Sequence, residues 1–153
     1  MSGAEPRRVS IVSGYFNPLH VGHLQMMTAA RELADALVVI VNNDEQQVLK
    51  IGVVVQSVED RLEIVRALRV VHRALPSVDL DSTVNATLRQ LREAYPDTDL
   101  VFANGGGDRS EPESVAEIGT CRELSIEVAL GVGGRDKADD SSRIRRLLEA
   151  PGR

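Results

Sequence analysis

Short β-branched runs alternate with helix-length stretches about five times along this 153-residue chain, and that alternation restricts the fold more than any other feature. Val9–Ser13, Ala36–Val41, Val70–Leu75, Leu100–Ala103 and Ser125–Leu130 read as strands. Val21–Ala34 carries Leu24, Met27 and Leu33 at helical spacing. Asn42-Asn43-Asp44 is turn chemistry that can cap a short helix through Lys50. Ser57-Val58-Glu59-Asp60 resembles a capping box that opens a helix to about Arg69. Asp81 or Ser82 caps the next helix, to Tyr95; Pro112 fits the first turn of another, through Leu124. Ser141 or Ser142 caps the last, to about Ala150, while Ile51–Gln56 fits a strand or a loop.

Alternating strands and helices build βαβ units, so the expectation is an α/β fold with a doubly wound parallel sheet of about five strands. Aromatic residues are only 3% and Trp is absent, so the core must rest on Val, Leu, Ile and Ala, which suits a sheet covered on both faces. Residues 1–150 read as a single domain, and 151–153 as a tail or the start of a linker to a further domain.

Charge narrows the partners. A net charge of −5 argues against general nucleic-acid binding, which needs a basic patch, but leaves room for small anions at a locally positive site. Of eighteen Lys and Arg residues only Lys50 and Lys137 are lysine. Cys121 is the only cysteine, so no internal disulfide can form, and it reads as a small buried apolar residue. No apolar run reaches the ~20 residues of a membrane span, and Met1–Arg8 leads into no signal-peptide core. A cytoplasmic protein without membrane partners is the expectation.

In a doubly wound sheet, ligands bind beyond the carboxyl ends of the strands. Gly14–His23, Asn42–Lys50 and Asn104–Asp108 are expected at that edge. The most specific of these is Gly14-Tyr15-Phe16-Asn17-Pro18-Leu19-His20-Val21-Gly22-His23. A strand stops at Gly14 and a helix opens near Val21, whose unpaired N–H groups favour anions. Gly14 and Gly22 would let a polyphosphate approach the backbone. His20 and His23, three apart, can serve one ligand and suit charge developing on a phosphoryl group. The alternatives are a histidine pair satisfied in the core, or a zinc site, for which no Cys/His cluster supplies a third ligand. His72 reads as structural.

This segment resembles the H-x-G-H signature of the cytidylyltransferase-like nucleotidyltransferase superfamily, and the resemblance implies a Rossmann-like fold. It continues through Val39–Lys50, similar to the cytidylyltransferase segment whose lysine contacts substrate phosphates, a role implied for Lys50. Asp60-Arg61 resembles an acidic-Arg pair of the following helix and reads as mainly structural. Val101–Asp108 resembles the glycine-aspartate segment bordering base and ribose, which implies nucleotide contacts for Asn104, Gly105, Gly106 and Asp108; Arg109 could reach a phosphate. Asp139-Asp140-Ser141-Ser142-Arg143-Ile144-Arg145 resembles the motif closing the family's site, with Ser141 and Ser142 at the triphosphate and Arg135 and Lys137 adding positive charge. Tyr15, Phe16, Asn17 and Gly22 complete the implied nucleotide set.

The resemblance implies an in-line transfer. A substrate phosphate or phosphonate oxygen attacks the α-phosphorus, pyrophosphate leaves, His20, His23 and Lys50 stabilise the transferring group, and Mg²⁺ accompanies the triphosphate. No protein-held metal is implied. The expected reaction moves CMP from CTP to a small acceptor, with 2-hydroxyethylphosphonate first by likeness to phosphonate-antibiotic enzymes and glycerol 3-phosphate as rival. Asn17-Pro18 instead resembles the mononucleotide adenylyltransferases, which keeps open an adenylyltransferase using ATP on a sugar phosphate or a mononucleotide. A nucleotide-binding module without turnover is the third alternative. Many family members are dimers, so a homodimer is an expectation.

Overall fold

A computed structural model describes residues 5–105, 111–133 and 141–149. Five strands, β1 (Arg8–Gly14), β2 (Ala36–Val41), β3 (Arg73–Pro76), β4 (Asp99–Asn104) and β5 (Glu127–Leu130), form one sheet in the order β3-β2-β1-β4-β5. Every pairing is parallel, with Val9 opposite Ala36 and Leu100, Val38 opposite Arg73 and Val101 opposite Glu127. The α/β doubly wound reading is therefore correct, and the strand order reverses direction beside β1.

Alternation along the strands explains the two-sided core. Val9 and Ile11 of β1 join Val38 and Ile40 of β2 and Leu100 and Phe102 of β4 on one face. Helices α4 (Asn85–Ala94) and α5 (Ile118–Glu123) cover them with Leu88, Leu91 and Cys121. Val12, Leu37, Val39 and Val41 face the other way, under Met27 and Ala30 of α1 (Val21–Glu32) and Leu62 and Val65 of α3 (Val58–Arg66). β2 has neighbours on both faces and both edges, so all six of its residues are buried. Helices α2 (Asp44–Ile51) and α6 (Ser141–Glu149) complete the set. Among the described residues no helix is long and apolar enough to cross a membrane.

One open expectation is settled and three local ones change. Ile51 is the last residue of α2, and the stretch after it is a loop, because Gly52 adopts φ 81 and ends the helix. Val70 and Val71 precede β3 instead of entering it; partly buried, they pack against the second core cluster. Neither Asp81 nor Ser82 caps α4: the Asp79 carboxylate accepts from the N–H groups of Ala86 (2.6 Å) and Thr87 (3.1 Å), while Asp81 accepts from Thr83. The stretch 112–124 is not one helix. A single 3-10 turn at Pro112–Ser114 gives way to extended backbone at Val115, which inserts into the core before α5 begins.

Candidate functional site

The carboxyl ends of β1, β2 and β4 lie side by side, and the loops leaving them bring Gly14–His23, Asn42–Lys50 and Asn104 to the same edge. Asn42 N–H donates to Gly14 O (2.9 Å), and Val132 N–H donates to Asn104 O (3.2 Å), which ties the loops to their neighbours.

His20 is the N-cap of α1. Its Nδ1 accepts from the N–H of Gly22 (3.1 Å), and the Nδ1 of His23 accepts from the N–H of His20 (3.2 Å). Two histidines thus build a reciprocal capping box, a role usually filled by Ser or Thr with Glu or Gln. The chemical consequence is a fixed tautomer. A ring nitrogen that accepts a hydrogen bond carries no proton, so each neutral imidazole has its proton on Nε2 and is a donor there. The rings stack with centroids 3.8 Å apart and 23° between planes, and Phe16 meets His23 edge-on at 4.9 Å. Both imidazoles are therefore held as a parallel pair of donors at the positive end of a helix.

Phe16 itself is buried at φ 51. A Cβ on Gly14 would lie 2.6 Å from Phe16 Cζ, so the room left by this glycine is filled by a ring of the protein, not left open for a polyphosphate. Gly105 is similar: a Cβ there would meet Met26 Cγ of α1 at 2.6 Å and Val132 O at 2.8 Å. Its missing side chain lets α1 close against the end of β4.

Lys50, in the last turn of α2, holds its ammonium 4.3 Å from the centre of the Tyr15 ring. The structure thus brings the expected lysine to the loop that carries the histidines. Burial raises the Tyr15 phenol above its ordinary value, with the Arg61 charge pulling partly back.

Beneath these groups lies a buried polar layer in which Arg61 was expected to be structural and Asn17 to meet the nucleotide, while Asn42, Asn43, Gln46 and Gln47 had no individual role. Arg61, 1% exposed, donates to Tyr15 O (2.9 Å), Asn42 O (2.7 Å) and Gln56 O (2.9 Å) and pairs with Asp44 (3.0 Å). One guanidinium thereby clamps the loops after β1, β2 and α2. Burial lowers its proton affinity and Asp44 counteracts that. Asn42 Nδ2 and Asn43 N–H donate to Gln46 Oε1 (2.9 and 3.1 Å), as does Ser77 Oγ, and Gln46 Nε2 donates to Asp81 O and Thr83 O. Asn17 Nδ2 donates to Gln47 Oε1. The only hint in the sequence is the Asn42-Asn43…Gln46-Gln47 run of uncharged amides directly after the most apolar strand.

Within the Asp60-Arg61 pair the structural role falls to the buried Arg61, while Asp60 is exposed on α3 and His72 is exposed just before β3. Gly106, Asp108, Arg109, Arg135, Lys137, Asp139 and Asp140 lie outside the described residues, as do the side chains of Ser141, Ser142, Arg143 and Arg145. Among the described residues no group of three or more His, Cys, Asp or Glu could hold a metal ion.

The family model described as cytidylyltransferase-like matches residues 11–130. The FAD synthase of Pyrococcus abyssi is 32% identical over 153 residues, covering 97% of each chain. The FAD synthase of Pyrococcus horikoshii is 36% identical over 150 residues, covering 96% of this chain and 97% of its own. A lipopolysaccharide core biosynthesis protein from Thermoplasma volcanium shares the fold, with a TM-score of 0.60 over 82% of this chain and 94% of its own at 24% identity.

Proposed function

The chain belongs to the cytidylyltransferase-like family and is a nucleotidyltransferase in type; from that premise we propose that it transfers AMP from ATP to a mononucleotide phosphate, with flavin mononucleotide as the leading acceptor. The observation that carries the site is the stacked His20/His23 pair, with both Nδ1 atoms accepting from backbone N–H groups at the α1 start, so that Nε2 carries the proton of each neutral ring. The choice of acceptor is supported by similarity along the whole chain to proteins named FAD synthase. FAD is a flavin mononucleotide joined to AMP through a phosphoanhydride, so a synthase that joins these halves is a nucleotidyltransferase acting on a phosphate monoester.

In this reading an acceptor phosphate oxygen forms a bond to the α-phosphorus while the bond from that phosphorus to the β-bridging oxygen breaks and pyrophosphate leaves. The attacking oxygen is already anionic, so no strong general base is required. The protein's contribution is position and donors. His20 and His23 donate to the α-phosphoryl oxygens as charge grows there, and the α1 N-terminus adds its dipole. Lys50 meets the acceptor phosphate. Tyr15, Phe16, Gly22 and Asn104 border the nucleotide, Asn17 is buried in the loop that delivers His20, Gly14 and Gly105 serve the site indirectly by admitting Phe16 and α1, and the family resemblance assigns Gly106, Asp108, Ser141 and Ser142 to the nucleotide and Arg109 to a phosphate. Mg²⁺ neutralises charge on the triphosphate. The described residues fit an ion carried by its nucleotide, since His20, His23, Asn17 and Lys50 are donors and Asp44 is engaged by Arg61 and Gln47.

The CTP reading, with 2-hydroxyethylphosphonate or glycerol 3-phosphate as acceptor, rests on the likeness of Val39–Lys50 and is decided by the same assay. Pyrophosphate release is measured with Mg²⁺ and ATP or CTP against flavin mononucleotide, nicotinate mononucleotide and both small acceptors. Release with ATP and flavin mononucleotide supports the proposal. Release with CTP alone replaces it, and tight nucleotide binding without release from any pair points to a module without turnover.

A further inference from the structure

Gln47 joins the two walls of the site. It is fully buried on α2, and four hydrogen bonds hold its amide. Nε2 donates to Gln56 O (2.8 Å) and Asp44 Oδ1 (3.0 Å), while Oε1 accepts from Val55 N–H (2.9 Å) and from Asn17 Nδ2. Two of these partners are backbone groups whose character cannot change: Val55 N–H only donates and Gln56 C=O only accepts. They fix which end of the Gln47 amide is oxygen. With that end fixed, position 17 must present a donor. An aspartate there would set two acceptors against each other in a buried place, at the cost of an unsatisfied polar pair.

We infer that Gln47 is a positioning residue for nucleotidyl transfer: it orients Asn17, and through it ties the loop Tyr15–His20 to the loop that follows α2. This rests on the reading of Gly14–His23 as the transfer site. It also gives Asn17 a cause that lies inside the protein. The residue that resembles an adenylyltransferase signature is required by Gln47, so it carries no information about the base of the nucleotide. Asn17 stands three residues before His20, so a shift of the amide displaces the start of the loop that delivers the first imidazole.

The test is a double-mutant cycle on the full chain, with pyrophosphate release as readout. Gln47→Met removes the fixed acceptor at similar volume, and Asn17→Asp removes the donor isosterically. A misplacement on the order of an ångström can cost about 10²-fold, so Gln47→Met should lower kcat by about that factor while changing the nucleotide KM by less than about threefold. Asn17→Asp should lose a similar factor near pH 8 and regain about tenfold near pH 6, because the protonated acid donates where the carboxylate cannot. In the Gln47→Met background Asn17→Asp should cost less than about threefold more, since no fixed acceptor remains opposite it. An Asn17→Asp loss of equal size in both backgrounds, or one that ignores pH, overturns the inference and places Asn17 directly on the nucleotide. A Gln47→Met protein with full kcat beside an inactive His20→Asn protein overturns it alone. Full turnover in His20→Asn overturns the site reading and the inference together. If Gln47→Met fails to fold, the pH profile of Asn17→Asp decides.

Discussion

The two edges of the sheet are both polar, but they are built from different chemistry. At the amino edge Arg8 pairs with Asp99 (2.6 Å) and Glu127 (3.2 Å), and the N–H groups of Arg7 and Arg8 donate to Asp35. These groups are charged and open to solvent: the Asp99 and Glu127 side chains are 64% and 58% exposed. At the carboxyl edge Asn17, Asn42, Asn43, Gln46, Gln47 and Ser77 are uncharged and buried, with Arg61 beneath them. Exposed ion pairs tolerate error because water replaces a lost partner. A buried amide whose partner is displaced has nothing else to bond, so each is held to one geometry. The edge that needs precision for chemistry is the one built from groups that cannot adjust.

The largest expected effect tests that contrast at its most specific point. His20→Asn retains a strong N-cap for α1 but has no Nε2 donor. Turnover should fall about 10²- to 10³-fold, as for the loss of one donor to a transition state, while the thermal midpoint stays close to wild type. A variant equally unstable and inactive would mean that His20 serves the helix and not the chemistry.

Arg61→Met comes next. It strands the carbonyls of Tyr15, Asn42 and Gln56 and leaves Asp44 without its cation. Denaturant unfolding should show a loss of about 3 kcal/mol, the range for breaking a buried pair by removing one partner. Turnover should fall as well, because three site loops lose their common clamp. A loss below about 1 kcal/mol would show that water enters and satisfies these groups.

Lys50→Met is smaller. The side chain is exposed and its stacking on Tyr15 contributes little to stability, so the midpoint should not move. The acceptor KM should rise about tenfold, the order of one charged hydrogen bond. An unchanged KM would remove Lys50 from the acceptor subsite.

Most of the fold was legible because its signals are local. The bounds of β2 follow from Ala36–Val41 alone, since every residue in that run is apolar and the turn residues Asn42-Asn43 end it. The start of α1 was legible from the motif itself. What failed depends on partners distant in sequence. The α4 cap is supplied from Asp79, outside any capping-box spacing, and Val115 breaks 112–124 because the core accepts its side chain. The site divides the same way. His20, His23 and Lys50 were found by pattern and stand at one edge, whereas Gln46 and Gln47 look like solvated helix residues until Ser77, Asp81, Thr83 and Gln56 are placed around them. Gly14 was read as room for a ligand, and Gly105 as a nucleotide contact, because a sequence shows that a side chain is missing without showing which neighbour takes its place.

The smallest effect belongs to the amino edge, and its smallness is the point. Asp99→Asn keeps an acceptor for Arg8 but removes the charge, while Glu127 still faces the guanidinium. With both carboxylates more than half exposed, the loss should stay below about 1 kcal/mol and shrink further in about 1 M salt, where charges are screened within a few ångströms. The hydrogen bond to Asp99 raises the Arg8 pKa in the folded state, with burial opposing it. A group whose folded pKa is raised contributes its stability below the unfolded value and loses it only as pH rises through the folded one. For an arginine that window lies far above any assay condition, so the difference between wild type and variant should be flat from about pH 6 to about pH 9. Turnover should not change, because Arg8 lies at the opposite end of β1 from the histidine loop. A loss above about 2 kcal/mol, or any fall in turnover, would mean that the two edges are coupled through β1, and the division between an adjustable edge and a fixed one would fail.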